Sequence, residues 1–312
     1  MVNSDKFIIF VLIINHLNTH SMKPVRLKDL YIPQEVLKPM KTNSELDHFV
    51  STRGGFLPST VYIVVGGAGS GKTSWSIDTL SRLQAENPTK KCLYISGEQD
   101  EIDNYELSTF IPGLMELDTL YLSGVKNPQK LIEDTLNQGW DMVLMDSLEV
   151  VSGRIQTTTD LNSKQSLKWV MDLMFKHKRG NNPTNTYTAF LVIQQATKSG
   201  TFKGDSSIEF DTSGMLYIRR GHGTERHLEF SKNRRGESNV KLFYKLENGQ
   251  MVYMKEEEVV EPTVKPTIGI PTIAFASLIK ALAKKRFGTN LTQKESFTIV
   301  KELEDTYKEL VN

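Results

Sequence analysis

The chain has 312 residues and 38 Lys and Arg against 37 Asp and Glu, so its net charge of +1 excludes nucleic-acid binding by bulk positive charge, although not by a local basic patch. Its 38% hydrophobic and 24% charged residues are ordinary for a soluble globular protein and exclude a collagen-like or disordered chain. The single cysteine, Cys92, excludes a disulfide framework and a four-cysteine zinc site, and it is compatible with a reducing cytoplasm.

The amino-terminal region carries eight consecutive apolar residues, Phe7–Ile14. A bilayer span needs about 20 such residues, so we expect no membrane partner. Three interpretations stay open: a buried or disordered extension, upstream sequence ahead of a true start at Met22, or a signal peptide, although no small-residue cleavage site follows. We assign residues 1–21 to an apolar extension and 22–55 to a linker or packing segment.

Four short apolar runs without polar alternation follow, as expected for strands buried on both faces. They are VYIVV (61–65), CLYI (92–95), MVLM (142–145) and AFLVI (189–193). Helical spacing separates them, for example at Leu167, Val170, Met171 and Met174. The alternation predicts an α/β fold with a mostly parallel sheet covered by helices.

The pattern changes after Gly200, where shorter and more alternating segments predict antiparallel hairpins that extend the sheet. These segments are Met215–Ile218, His227–Ser231, Val240–Tyr244 and Met251–Met254. Residues 256–271 carry three prolines and four glutamates and predict a linker. Residues 272–312 predict a pair of helices, the second of which begins with a capping box from Thr292 to Glu295.

The strongest motif is GGAGSGKT, which matches the phosphate-binding loop G-x-x-x-x-G-K-[ST] between a predicted strand and a predicted helix. Backbone N–H groups and the helix amino terminus cradle phosphates, Lys72 reaches the β- and γ-phosphates, and Thr73 ligates Mg²⁺. A glycine-rich turn without function is the alternative, which this context disfavours. We expect Mg²⁺ and ATP to bind at Gly66, Gly67, Ala68, Gly69, Ser70, Gly71, Lys72, Thr73 and Ser74.

Two carboxylates complete the expected chemistry. Asp146 ends a buried strand, where the second magnesium ligand of such a site is expected, and a helix cap is the alternative. Glu98 lies just past the second strand, at the carboxyl edge of the sheet, where it can polarise the water that attacks the γ-phosphate. The alternative for Glu98 is an ordinary exposed loop glutamate.

The segments LYISGEQ, LMDSLEVV, FLVIQQATKSG and SKNRRG resemble the ATPase core of bacterial RadA/Sms recombination proteins, which belong to the RecA–DnaB group. The resemblance covers residues 56–254 and implies a RecA-like three-layer fold, which we assign to residues 56–255. It also implies that Glu98 is the catalytic glutamate and Asp146 the Walker B acid. Gln195 matches the family's polar γ-phosphate sensor, with a solvated strand end as the alternative.

The same resemblance gives roles to Lys232 and Arg234, which match a Lys-Asn-Arg motif whose cations reach the ATP of the neighbouring subunit. A basic turn is the alternative. The resemblance therefore implies a homo-oligomer, namely a hexameric ring. The sequence departs from the family because it lacks the four-cysteine zinc finger and has Arg235 in place of the usual aromatic residue.

The loop Thr197–Asp211 corresponds to the loop through which family members thread DNA. Lys198 and Lys203 flank Phe202, so phosphate contacts and base stacking are expected, and a mobile surface loop is the alternative. From Lys198 to Lys245 there are ten basic against six acidic residues, a local surplus that the net charge conceals. The expected partner is DNA, with single strands favoured.

These observations predict an ATP-dependent, DNA-binding RecA-fold motor for recombination, repair or replication in the cytoplasm of a bacterial or phage-infected cell. A hexameric replicative helicase or a viral genome-packaging motor shares the same motifs. A nucleotide-gated scaffold with negligible turnover is a further alternative. A small-molecule kinase is disfavoured by Glu98, for which such an enzyme has no need.

Overall fold

The computed structural model describes residues 24–196, 206–220, 226–247 and 250–254, with isolated positions between 280 and 299. The chain divides into two compact units, Met1–Glu256 and Glu257–Asn312. In the second unit, the Thr292 hydroxyl and N–H donate to the Glu295 carboxylate across 2.6 and 2.7 Å, and Thr292 Oγ1 accepts from the Glu295 N–H at 3.3 Å. The predicted capping box is therefore present.

The first unit is built on one nine-stranded sheet, in the order β3-β2-β4-β5-β1-β6-β7-β8-β9. Strands β1 to β6 pair in parallel, and β6 to β9 pair in antiparallel fashion. The strands are β1 Val61–Gly66, β2 Cys92–Ser96, β3 Asp118–Tyr121, β4 Met142–Asp146, β5 Ala189–Gln195, β6 Gly214–Arg220, β7 Arg226–Asn233, β8 Lys241–Glu247 and β9 Gln250–Met254.

All eight predicted strands are present, and their extension by antiparallel hairpins is confirmed. The ninth strand, β3, was not predicted. It pairs with β2 alone among the described strands, and its four residues are half-buried or exposed. A short edge strand of this kind does not need the continuous apolar run that marks a strand buried on both faces.

Seven helices are described, and most of them cover the sheet: α1 Leu46–Val50, α2 Lys72–Glu86, α3 Glu101–Ser108, α4 Pro128–Leu136, α5 Leu148–Thr158, α6 Ser163–Lys178 and α7 Ser206–Asp211. Side chains of β1 alternate between two apolar clusters. Tyr62 and Val64 pack with α2, whereas Ile63 and Val65 pack with α4, α5 and α6. The result is three layers with the sheet in the middle.

Short 3-10 helices complete the described unit, at Leu27–Asp29, Gln34–Leu37 and Pro112–Glu116. Met40 is buried and forms an isolated bridge with Phe56, so it fixes the amino-terminal segment to the core. Among the described helices, none has the length and apolar character needed to cross a membrane.

Candidate nucleotide site

The glycine-rich loop joins the carboxyl end of β1 to the first residue of α2, Lys72. Gly71 has φ +93°, a left-handed conformation that favours glycine and turns the chain into the helix. The Lys72 ammonium donates to the Gly67 carbonyl across 2.9 Å, so the side chain folds back over the loop. Burial lowers the pKa of Lys72, although the nearby Asp146 and Glu98 carboxylates act in the opposite direction.

Asp146 is the last residue of β4 and lies against the first turn of α2. The Thr73 hydroxyl donates to its carboxylate across 2.6 Å, which brings together the two side chains predicted to hold magnesium. Asp146 is almost completely buried, and this burial raises its pKa to about 6. The hydrogen bond from Thr73 and the charge of Lys72 act against the rise, and the charge of Glu98 adds to it.

Glu98 lies beside Asp146 because the chain turns tightly after β2. The Gly97 N–H donates to the Asp146 carbonyl across 2.7 Å, and a Cβ on Gly97 would lie only 3.0 Å from that oxygen. The Ser147 hydroxyl donates to Glu98 Oε1 across 2.7 Å. The structure therefore places Glu98 at the carboxyl edge of the sheet next to Asp146 and Lys72, as the sequence predicted.

Arg154 on α5 supports this turn and was not identified from the sequence. Its guanidinium donates twice to the Gly97 carbonyl, from Nε across 3.0 Å and from Nη2 across 2.7 Å. The paired bonds fix the carbonyl that immediately precedes Glu98. Because the two residues are 57 positions apart, no local sequence signal links them.

Gln195 is the last residue of β5 and is exposed there. Its register partner on β1 is Gly66, the first glycine of the loop. The structure thus places Gln195 directly beside the phosphate-binding loop, where a γ-phosphate sensor is expected.

Two further arginines, on β6 and β7, contact the phosphate-binding loop. Arg220 ends β6, Arg226 begins β7, and the two face each other across the hairpin. Arg220 Nη2 donates to the Gly69 carbonyl, and Arg226 Nε donates to the Ser70 carbonyl across 3.1 Å. Sequence reasoning missed both residues, although their position at the inner ends of two predicted hairpin strands was a usable signal.

A cavity of about 360 Å³ opens beside this contact, at the carboxyl edge of β1, β5 and β6. Its lining consists of backbone-rich loop positions, one aromatic ring and two guanidinium groups: Gly66, Gly67, Ala68, Ser70, Ala196, Tyr217, Ile218, Arg219 and Arg220.

Lys232 and Arg234 lie towards the amino ends of the parallel strands, away from the phosphate-binding loop. Lys232 pairs with Met215, near the start of β6, whereas the loop lies beside the end of that strand. The Lys232 ammonium donates to the Glu209 and Phe210 carbonyls, and Arg234 Nη2 donates to the Phe210 carbonyl across 2.5 Å. The structure therefore does not bring these cations to the phosphate-binding loop of their own chain.

The predicted DNA-contacting residues Lys198, Phe202 and Lys203 lie outside the described residues. The predicted loop Thr197–Asp211 is wrong over its last six residues, because these form the helix α7. The Glu209 and Phe210 carbonyls of this helix accept hydrogen bonds from Lys232 and Arg234.

The described residues fit a magnesium nucleotide. The Ser70 hydroxyl is buried in the loop and has no hydrogen-bond partner among the described residues, which leaves a donor for a phosphate oxygen. Magnesium in nucleotide sites is held by one or two protein oxygens together with phosphates and waters, and Thr73 and Asp146 supply such a pair. Within the described ranges, no three His, Cys, Asp or Glu side chains are grouped to form a metal cage.

Comparison with known proteins gives the fold. No family model matches the chain, and no curated protein matches its sequence significantly. Its structure is similar to that of a KaiC-like protein from the archaeon Pyrococcus horikoshii, with a TM-score of 0.52 at 15% identity over 70% of this chain and 99% of the other. The flagellar accessory protein FlaH from Methanocaldococcus jannaschii matches with a TM-score of 0.50 at 10% identity over 70% of this chain and 100% of the other.

The nine-stranded sheet, its helical layers and these two likenesses establish a RecA-like α/β fold. The predicted fold class is therefore confirmed. At 10–15% identity, a likeness extends to the fold alone.

Proposed function

We propose that this protein is a RadA-like ATPase that couples Mg·ATP hydrolysis to movement on, or remodelling of, DNA in recombination, repair or replication. The observation that carries the proposal is the grouping of Lys72, Thr73, Asp146 and Glu98 at one end of β1, β2 and β4. Their grouping supplies a phosphate cradle, a magnesium ligand pair and a general base within one site.

Each side chain has a definite task in this chemistry. Lys72 leaves the Gly67 carbonyl and binds the β- and γ-phosphates, and the Ser70 hydroxyl donates to a phosphate oxygen.

Thr73 and Asp146 hold Mg²⁺, which neutralises charge on the phosphate oxygens when bound. Glu98 orients the attacking water and accepts its proton, while Ser147 holds the carboxylate in place.

The protein works as a homo-oligomeric, hexameric ring in this proposal. Lys232 and Arg234 lie at the amino edge of the strands, about 13 Å along β1 from the loop at a rise of ~3.3 Å per residue. A head-to-tail neighbour can bring these cations to the other edge of the next subunit. Cations supplied in this way neutralise the negative charge of the transition state, so hydrolysis depends on assembly.

Mixing two variants tests this sharing of sites. Protomers with Glu98→Gln keep both cations but cannot activate water. Protomers with Lys232→Ala and Arg234→Ala together keep Glu98 but offer neither cation to a neighbour. An equimolar mixture is expected to hydrolyse ATP faster than either variant alone. A rate equal to the mean of the two would contradict the sharing of sites.

DNA is the proposed partner because the segment from Lys198 to Lys245 holds a basic surplus around a loop next to Gln195. The test is the ATPase rate with single-stranded DNA, duplex DNA and RNA in turn. Single-stranded DNA is expected to raise the rate several-fold, and Lys198→Ala with Lys203→Ala is expected to remove the increase but keep the basal rate. Equal rates with and without all three nucleic acids would contradict the motor function.

A nucleotide-gated assembly protein with slow turnover is the second candidate. It is favoured by the likeness to FlaH, which is described as a flagellar accessory protein. The same assay separates the two candidates, because slow hydrolysis that no nucleic acid accelerates, together with ATP-dependent assembly, is the result expected of the second.

A further inference from the structure

The described amino terminus carries an exposed apolar arm. This arm, residues 24–32, contains Val25, Leu27, Leu30, Tyr31 and Ile32, and all five side chains are exposed, with Leu27 at 73% and Tyr31 at 81%. Its 3-10 helix, Leu27–Asp29, buries no residue. Five large apolar side chains within nine residues are more than the isolated exposed residues of an ordinary surface, and they mark a binding segment.

A matching surface lies on α3 and the 3-10 helix that follows it. Asn104 and Ser108 are buried on one side of α3, whereas Ile102 and Tyr105 project from the other with exposures of 71% and 66%. The turn and 3-10 helix after α3 add two more exposed apolar side chains, Phe110 and Met115. We call the exposed residues Glu101, Ile102, Tyr105, Glu106, Phe110 and Met115 the acidic face.

The charges of the two surfaces are complementary. Residues 98–118 contain seven Asp and Glu and no Lys or Arg. The arm contains Arg26 and Lys28 against Asp29 alone. An apolar arm with basic residues between its hydrophobic ones therefore fits an apolar face flanked by carboxylates, and opposite charges at the rim of a contact select the correct partner.

The length of the arm allows it to cross to another protomer. Its fixed point is Met40, which is buried and bridged to Phe56. From Met40 back to Leu27 the chain can span roughly 35–40 Å, with one short 3-10 helix on the way. A compact domain of this size is roughly 45 Å across, so the arm has the reach to bind an adjacent molecule.

We infer that the arm of one copy of this chain binds the acidic face of the next. The two surfaces differ and lie on the same unit, so the contact is head-to-tail and repeats from copy to copy into a ring or a filament. The inference rests on the proposed function only in that it names the contact holding that assembly together. Because α3 begins three residues after Glu98, the contact also lies close to the hydrolytic residue.

Charge reversal tests the contact. Arg26→Glu with Lys28→Glu, and separately Glu101→Arg with Glu106→Arg, are expected to weaken ATP-bound self-association at least tenfold in sedimentation velocity. Mixing the two variants pairs each reversed arm with a reversed face and is expected to restore assembly.

A matched control is Lys164→Glu with Lys168→Glu on α6, which is expected to assemble as the wild type does. Wild-type assembly by both reversed variants, or no recovery in the mixture, would overturn the inference.

Disulfide trapping gives a second and independent readout. The native Cys92 is buried, and its burial raises the pKa of the thiol to about 12, so it does not react. Leu27→Cys protein mixed with Tyr105→Cys protein is expected to form a covalent dimer under mild oxidation, whereas Leu27→Cys mixed with Lys164→Cys is not. If the double variant Leu27→Cys, Tyr105→Cys instead closes a disulfide within a monomer, the arm folds back on its own chain and the inference is wrong.

ATPase assays on the same samples keep the two proposals apart. Trapped dimers without ATP hydrolysis would support the contact and contradict the motor. DNA-stimulated hydrolysis without trapping would support the motor and contradict the contact.

Discussion

The hydroxyl of Thr73 donates a 2.6 Å hydrogen bond to the carboxylate of Asp146, which joins the first turn of α2 to the end of β4. Two side chains that are 73 positions apart are thereby held as neighbours. The arrangement has a cost, because burial of the Asp146 carboxylate raises its pKa from 3.8 to about 6. A binding site held ready in this way reduces the stability of the protein that contains it.

Replacing Asp146 with Asn is therefore expected to stabilise the nucleotide-free protein at pH 7.5 by about 2–3 kcal/mol, since two pKa units correspond to roughly that energy. The amide keeps an oxygen that accepts from Thr73 but carries no charge to desolvate. The gain should be full above pH 6 and vanish by about pH 4, because the folded state binds the Asp146 proton more tightly than the unfolded chain does. Urea denaturation at several pH values measures it.

The same variant should lose the stabilisation that Mg·ATP gives the wild type. Thr73→Ser, which keeps the hydroxyl, is the matched control and should retain it. An Asp146→Asn protein that is less stable than the wild type at pH 7.5 would contradict the account of this site.

Arg154→Ala is expected to lower kcat by about 10–100-fold and to leave the KM for ATP nearly unchanged. The paired bonds to the Gly97 carbonyl hold the turn that carries Glu98, the proposed general base, and misplacement of such a base costs rate rather than binding. The kcat of Arg154→Lys should lie between that of the wild type and that of Arg154→Ala, because the lysine ammonium can replace only part of the paired contact. Steady-state kinetics decide, and a rise in KM with constant kcat would show that Arg154 acts on binding instead.

Arg220→Ala and Arg226→Ala are expected to act on binding, each weakening ATP affinity by about 5–50-fold with little change in kcat. Both guanidiniums hold carbonyls of the phosphate-binding loop, and together they place positive charge beside it. Lys241→Ala, an exposed cation on β8, is the control for a general loss of charge. Calorimetric titration with ATP measures the affinity, and unchanged affinity in both variants would remove them from the nucleotide site.

His177 is expected to limit acid stability. Its ring is fully buried, neither nitrogen has a hydrogen-bond partner among the described residues, and burial lowers its pKa from 6.5 to about 4. Protonation is easier in the unfolded chain, so stability falls as the pH drops from 6.5 towards 4. Between pH 7.5 and pH 5 this loss is about 2 kcal/mol, and His177→Leu should abolish it. Denaturation curves at both pH values measure the loss. An equal loss of unfolding free energy in the wild type and in His177→Leu would refute this role.

The sequence predicted those features that local pattern determines. Strands such as β1 and β4 are buried on both faces, which requires continuous apolar runs that can be recognised without a structure. The phosphate-binding loop is equally local, because its backbone shape demands glycines at a fixed spacing. Glu98 and Asp146 could be placed together because parallel strands end at the same edge of a sheet.

The features missed by sequence reasoning depend on contacts between distant residues. Arg154 reaches Gly97 across 57 positions, and Arg226 reaches Ser70 across 156, so no local pattern pairs either arginine with the carbonyl that it binds. The edge strand β3 escaped prediction because its side chains are half-buried at most and form no apolar run. The acidic face of α3 follows a regular helical pattern, but its exposure could be seen only once Asn104 and Ser108 were known to be buried.

In the proposed mechanism, this site hydrolyses ATP with Glu98 as its base. The most direct measurement compares wild type and Glu98→Gln for ATP affinity and for the rate of phosphate release at saturating Mg·ATP. We expect equal affinity and a rate at least ~100-fold lower in the variant, since a general base contributes about that much or more. Equal rates of phosphate release in the two proteins would contradict it.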